Sequence, residues 1–210
     1  MRKLIPLLAF LLVNGCQKEN SVEPIPARSR QIIPLAVGNH WTYLDSLLTT
    51  SGIFINTYTV SVDSLRIEGG TRWWKLRNTF NPSIAATEFT VRNDSVFSLQ
   101  HTQSVAGLVP ILSLEYLRPM EAETSSYHAL FDGDVLISKS VTRLIQPYPV
   151  GAGTFAGCLL YAYRIYPELY QEVLKPGIGI LSCEIRADSS GLFGTAWQRK
   201  IKLVSYALVE

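Results

Sequence analysis

Between residues 57 and 63, Tyr58, Val60 and Val62 alternate with Thr57, Thr59, Ser61 and Asp63. A period of two belongs to an extended strand with one face buried and the other in water. The same alternation recurs along the chain. Phe89 and Val91 alternate with Glu88, Thr90 and Arg92; Val135, Ile137 and Val141 share one face; Leu181, Cys183 and Ile185 alternate with Ser182, Glu184 and Arg186. Between the runs lie Glu68-Gly69-Gly70, Asn93-Asp94, Asp132-Gly133-Asp134, Pro176-Gly177 and Ser189-Ser190-Gly191, whose Gly, Asn and Asp residues tolerate the positive φ of tight turns. The pattern predicts about ten strands, drawn from 39–49, 55–67, 71–79, 86–92, 95–101, 111–117, 134–145, 158–166, 169–175, 178–187 and 196–209. The last run changes phase from Ile201 and Leu203 to Val204, Tyr206 and Leu208, which suits a β-bulge or a strand buried on both faces. No window carries a long helical period with caps; residues 119–131 are the best place for one short helix.

Strands joined by short turns form an antiparallel meander, and a long open meander leaves unpaired edges that must be closed, curled or covered. The expected fold is mainly β, an antiparallel meander curled into a half-barrel or barrel of about ten strands, with at most one short helix. With 47% hydrophobic residues the chain has enough apolar material for one substantial core. No linker interrupts it after residue 33, so a single β domain is expected over 32–210.

The amino terminus carries a different signal. Arg2 and Lys3 precede the apolar run Leu4–Val13, which is broken by Pro6 and followed by Asn14-Gly15-Cys16. As a helix this run would be about 15 Å long against a hydrocarbon core of about 30 Å, too short to span. It reads as a secretory signal over residues 1–15. Leu12-Val13-Asn14-Gly15-Cys16 resembles the lipobox of bacterial lipoproteins, although Asn14 stands where Ala or Ser is commoner. The resemblance implies that the Cys16 thiol receives a diacylglycerol, that the signal is cut before it, and that the new amino group takes an acyl chain such as palmitate. The alternative is an ordinary signal cut at Gly15 or later, which leaves an oxidisable free thiol at the terminus. Two or three acyl chains give an effectively permanent anchor. Gln17 replaces the Asp that resembles an inner-membrane retention signal in enteric bacteria, which favours the outer membrane; Lys18-Glu19 leaves periplasmic face and cell surface both open. Residues 16–31 then comprise the lipidated cysteine and a polar tether containing Pro24 and Pro26. Removing Arg2 and Lys3 takes the basic residues from 19 to 17, against 17 acidic ones. The mature chain is neutral and has no nucleic-acid footprint.

The stretches "PLAVGNHWTY", "GAGTFAGC" and "LKPGIGILSCEI" together resemble uncharacterised outer-membrane lipoproteins with a Pro-Leu, Gly-Asn, Trp, Tyr opening, a Gly-Thr-Phe segment and a Gly-Ile-Gly turn. In architecture that family is similar to lipoprotein-carrier half-barrels. These motifs are folding signals, so what they imply is a fold.

Motif-borne chemistry is sparse. The chain contains no G-x-S-x-G, Walker-type loop, H-E-x-x-H or C-x-x-C. His40, His101 and His128 lie in separate segments, Asp132-Gly133-Asp134 lacks the further carboxylates of a calcium loop, and no metal or cofactor beyond the covalent lipid is expected. Glu168, Glu172 and Glu184 lie on candidate neighbouring strands, where a carboxylate pair could hydrolyse glycosides or simply face solvent. Aromatic residues are the richer set: Trp41, Tyr43, Trp73, Trp74, Tyr161, Tyr163 and Trp197. Trp73 and Trp74 must point to opposite faces of their strand, and Trp41, Trp73, Trp74 and Trp197 are the candidate ligand contacts, with core packing as the plainer role. Val105–Leu117 is apolar but broken by Gly107 and Pro110; it reads as an edge strand with its loop, or as a flap over the mouth of the sheet. A strand between Cys158 and Cys183 would hold them about 9.6 Å apart, too far for a disulfide, so two separate buried thiols are expected. Three roles follow as expectations. The first is binding of a lipid or other apolar molecule or envelope partner, the second a structural scaffold of the outer membrane, the third an extracytoplasmic hydrolase.

Overall fold

The computed structural model describes residues 31–79, 88–104, 107–119, 124–131, 135–187 and 197–209, without the side chains at 101–104, 108–109, 131 and 197. The alternation becomes fourteen described strands: β1 (His40–Thr49), β2 (Gly52–Glu68), β3 (Thr71–Asn78), β4 (Glu88–Arg92), β5 (Ser95–Ser104), β6 (Gly107–Tyr116), β7 (Thr124–Phe131), β8 (Val135–Arg143), β9 (Tyr148–Val150), β10 (Gly153–Phe155), β11 (Leu159–Ile165), β12 (Glu168–Lys175), β13 (Gly179–Ala187) and β14 (Trp197–Ala207). Twelve form one sheet in the order β6-β5-β4-β3-β2-β1-β14-β13-β12-β11-β8-β7, every ladder antiparallel; β9 and β10 make a small separate hairpin.

The sheet curls until its two edges, β6 and β7, meet and nearly close a barrel. Side chains bridge this seam in place of a backbone ladder among the described residues. The Ser113 hydroxyl of β6 accepts a hydrogen bond from the Leu130 amide of β7 (2.9 Å) and donates to the Leu130 carbonyl (3.2 Å). Gln100 Nε2 also donates to that carbonyl, and the Tyr127 hydroxyl donates to the Glu115 carbonyl. One side-chain hydroxyl thus does for Leu130 what a facing peptide group does elsewhere in a sheet.

One expectation is corrected here, and one pair of alternatives is decided. Residues 124–131 form a strand in place of the short helix expected within 119–131, because Tyr127 and Ala129 alternate into the core between the exposed Ser126 and His128, and pairing with β8 is available. Residues 120–123 lie outside the described part. The apolar 107–116 stretch is an edge strand laddered to β5 along its whole length, not a flap; Pro110 sits where a missing N–H is tolerated. The phase change in the last strand is a bulge, with Thr42 opposite Ser205 and Tyr43 opposite Leu203, leaving Val204 as the extra residue.

The end of the barrel at which β1 begins is stopped by the segment preceding it. Ile32, Ile33 and Leu35 are buried there, and the Gln31 carbonyl accepts a hydrogen bond from the Gly177 amide in the β12–β13 turn. Asn39 clamps the exit. Its side chain donates to the Pro34 carbonyl (2.6 Å) and accepts from the Val209 amide (2.7 Å). Gly38 ahead of it takes a left-handed φ of +96°, and a Cβ there would stand 2.8 Å from Val209 Cγ2. At the opposite rim the β1–β2 hairpin runs past the core, exposing Ile53, Phe54 and Ile55. Cys158 and Cys183 are both buried free thiols, with β12 lying between β11 and the Cys183 strand as the spacing argument requires.

Candidate functional site

The inner face of the barrel is not wholly apolar. Across neighbouring strands Tyr127 stands opposite Lys139, Lys139 opposite Tyr163, and Tyr163 opposite Tyr170; in the next row Tyr161 faces Glu172 and Glu172 faces Cys183. Lys139, only 4% exposed, therefore enters the core on the register of Ile137 and Val141. Its partner comes from across the seam. A bulge in β6 leaves Tyr116 opposite Val96 and Leu114 opposite Phe97, so Glu115 is the extra residue and its side chain turns inward. Lys139 Nζ lies 3.0 Å from Glu115 Oε2 and donates as well to the Glu115 carbonyl. The other carboxylate oxygen, Oε1, accepts from Ser98 Oγ (2.6 Å) and Gln100 Nε2 (3.0 Å). The ammonium also stands 4.5 Å from the Tyr163 ring centroid and 5.5 Å from that of Tyr116, within cation–π range. A buried cation is tolerable only when paired and hydrogen-bonded to this degree.

Glu172 is the second interior carboxyl. Burial pushes its pKa up, with the Lys139 charge and the Tyr116 and Tyr163 hydroxyls pulling the other way. The Tyr163 hydroxyl donates to Oε1 at 3.1 Å. No hydrogen bond of ordinary geometry from a described residue reaches Oε2. Burial likewise raises Tyr43, Tyr116 and Tyr163, and lifts Tyr58 to about 12, so these phenols stay neutral. The Cys183 thiol beside Glu172 is pushed up by burial and then by the Glu172 charge, and is inert as a nucleophile.

Glu172 also borders a cavity of about 180 Å³ between the β1–β3 wall and the β12–β14 wall. Trp41, Tyr43, Tyr58, Val60, Leu76, Ile180, Cys183 and Ile201 line it, and Ile33 of the basal stopper reaches it. The donors of Trp41 and Tyr43 are already occupied: Nε1 by the Ile178 carbonyl and the hydroxyl by the Ile180 carbonyl. These rings present apolar surface to the cavity. A larger groove of about 580 Å³ lies on the outer face, under residues 144–148 and over Leu160 and Val173. Its one carboxylate is paired: burial raises Glu184, but contacts from Arg186 (2.9 Å) and from Lys200 beside the groove (3.2 Å) outweigh it and hold the carboxyl below its usual range. The interior cavity has the more specific chemistry, mainly apolar and aromatic walls with one carboxyl, which is the usual composition of a small-molecule site.

The four candidate tryptophans are not brought together. Trp41 is 2% exposed and lines the cavity. Trp74 packs against the core, whereas its neighbour Trp73 lies on the other face beneath the Arg66 guanidinium. Trp197 opens β14 opposite Arg186, and its side chain lies outside the described residues, as do Cys16 and Asp132-Gly133-Asp134. The three glutamates also part company: Glu172 faces inward opposite Cys183, Glu184 outward opposite Gln171, and Glu168 is bonded by the Tyr170 hydroxyl four residues from Glu172. They form no facing pair. Glu115 and Glu172 do converge, on Lys139 and a tyrosine lattice, an arrangement that holds charge inside the barrel.

Lys139 and Glu115 were not singled out by sequence. The signal for Lys139 was present, since it falls on the inner phase of its own strand; Glu115 depends on a bulge that alternation does not reveal.

No family model matches the chain, and no curated protein matches it. Solved structures that resemble it include a candidate lipoprotein from Parabacteroides distasonis ATCC 8503, at 14% identity and TM-score 0.49, and a candidate exported protein with a YmcC-like fold from Bacteroides fragilis NCTC 9343, at 11% identity and TM-score 0.44. Each alignment covers 84% of this chain and 98% of the other. At that level of similarity neither function nor location carries over.

Proposed function

We propose that this chain is a lipoprotein held at the bacterial outer membrane by acyl chains on Cys16, and that its barrel binds a small, largely apolar molecule. The lipobox-like Leu12–Cys16 segment supports the anchor. The interior cavity walled by Trp41, Tyr43 and Tyr58 carries the binding reading. Its size also narrows that reading. A cavity of 150 Å³ takes benzene, so one of this volume takes about seven heavy atoms; a whole membrane lipid does not fit, but a small molecule or the end group of a larger one does.

Two measurements test the two halves. Mass spectrometry of protein purified from its own membrane is expected to find an acylated amino-terminal peptide beginning at Cys16; an unmodified terminus at another residue overturns the anchor. Toluene titrated into the folded protein is expected to shift the Trp41 indole NMR signal saturably. Val60→Phe, which fills the cavity, is expected to abolish the shift. No response in the wild type up to the solubility limit would leave the scaffold role as the better account.

A further inference from the structure

The cavity wall is nearly uniform in what it offers a guest. Trp41 and Tyr43 present ring surface because their donors are held by the Ile178 and Ile180 carbonyls. Cys183 is a neutral thiol. Against these stands Glu172, 9% exposed, which borders the same space; the Tyr116 hydroxyl acts on its carboxyl, but no hydrogen bond of ordinary geometry from a described residue reaches Oε2. Oε1 is fixed by the Tyr163 hydroxyl, so the carboxyl cannot turn to pair both oxygens with that donor. A buried polar atom without a full hydrogen bond carries an uncompensated desolvation cost, and a guest that supplies the donor recovers it.

We infer that the cavity selects a compact, mainly apolar ligand carrying one hydrogen-bond donor, a hydroxyl or an amine, directed at the Glu172 carboxyl, while the ring or short chain of the ligand lies between Trp41, Tyr43 and Ile201. The inference rests on the binding reading above and names the class of molecule that the site takes. The surroundings agree with it. The Lys139 charge already acts on the carboxyl, so the ligand's donor need carry no charge, and the aromatic walls reject a strongly hydrated head group.

Phenol and toluene test this directly, because they have the same number of heavy atoms and differ in one donor. In a purely apolar cavity toluene binds more tightly, since phenol must leave its hydroxyl unpaired. Here the wild type is expected to bind phenol at least as tightly as toluene near pH 8. In Glu172→Leu the affinity for phenol relative to toluene is expected to fall tenfold or more. The phenol preference is also expected to grow as pH rises and Glu172 ionises. A wild-type preference for toluene as large as that of Glu172→Leu overturns the donor class and leaves the apolar site standing; binding of neither probe overturns both. Should Glu172→Leu fail to fold, fluorobenzene, equal in size and without a donor, replaces it as the control in the wild type. Phenol binding no more tightly than fluorobenzene then overturns the inference.

Discussion

Lys139 is the residue whose placement is hardest to reconcile with a simple barrel core, and its neighbours explain why it is kept. Its side chain is 5% exposed and that of Glu115 17%, so the pair is shielded from solvent screening. Removing one partner of a buried pair typically costs about 3–5 kcal/mol, most of it for stranding the other charge. Lys139→Met is therefore expected to lower unfolding free energy by about that amount, and Lys139→Met with Glu115→Gln by less than the sum of the singles, as urea unfolding would read. Glu172 adds a pH dependence of definite sign. Its folded-state pKa is raised, mainly by burial, so its contribution to stability is complete below the ordinary carboxyl range, near pH 4.3, and is lost as pH rises through the folded value. Urea midpoints of the wild type are expected to fall relative to Glu172→Gln as pH climbs from 4 and then to run parallel. A constant difference across pH would mean that Glu172 is not perturbed.

At the scale of elements, the seam between β6 and β7 sets the weakest join. A laddered pair shares many peptide hydrogen bonds, whereas here Ser113 carries both groups of Leu130. Ser113→Ala would leave the Leu130 amide without that acceptor, while its carbonyl keeps Gln100; the expected loss is about 1–2 kcal/mol. Hydrogen exchange at Leu130 is expected to accelerate well before exchange in β12 or β13. Substitution of Phe54 to Ser, at the exposed tip of the β1–β2 hairpin, is expected to change stability by less than about 0.5 kcal/mol. The two sites also mark what alternation could and could not reveal. Strands such as β2 and β13 were readable because one face meets the core, and near the β1–β2 tip, where no core exists, Ile53, Phe54 and Ile55 follow no alternation at all. Asp45, Lys139 and Arg199 sit on the inner phase of their strands, and a reading that follows phase through charged residues would have placed them inside. Asp45 and Arg199 in fact form a two-pronged pair there, at 2.6 and 2.9 Å. The Glu115–Lys139 contact was beyond reach, because it depends on how far the sheet curls before its edges meet and on a one-residue bulge.

For the whole molecule, curling solves the edges but not the ends. A sheet rolled into a barrel still opens its core to water at the base, and in this chain residues 31–35 cover that opening before the first strand begins. Ile32 is fully buried, and Ile33 and Leu35 are 6% and 4% exposed. At about 1.5–3 kcal/mol for each buried aliphatic side chain, the three together rival the 5–15 kcal/mol by which a whole domain is stable. The segment is therefore part of the fold. A chain beginning at Ser29 is expected to melt cooperatively with the β-type circular dichroism of the full barrel. One beginning at Ala36 is expected to lose the sharp transition and to bind a hydrophobic dye, because its core faces water at the base. Ile32→Ala, with an expected cost of about 2–5 kcal/mol, is the milder version of the same cut. Because Ile33 also reaches the cavity, Ile33→Ala should enlarge the site as it destabilises the base, raising affinity for probes larger than toluene. Equal melting of the Ser29 and Ala36 chains would show that the sheet closes its own core without the stopper.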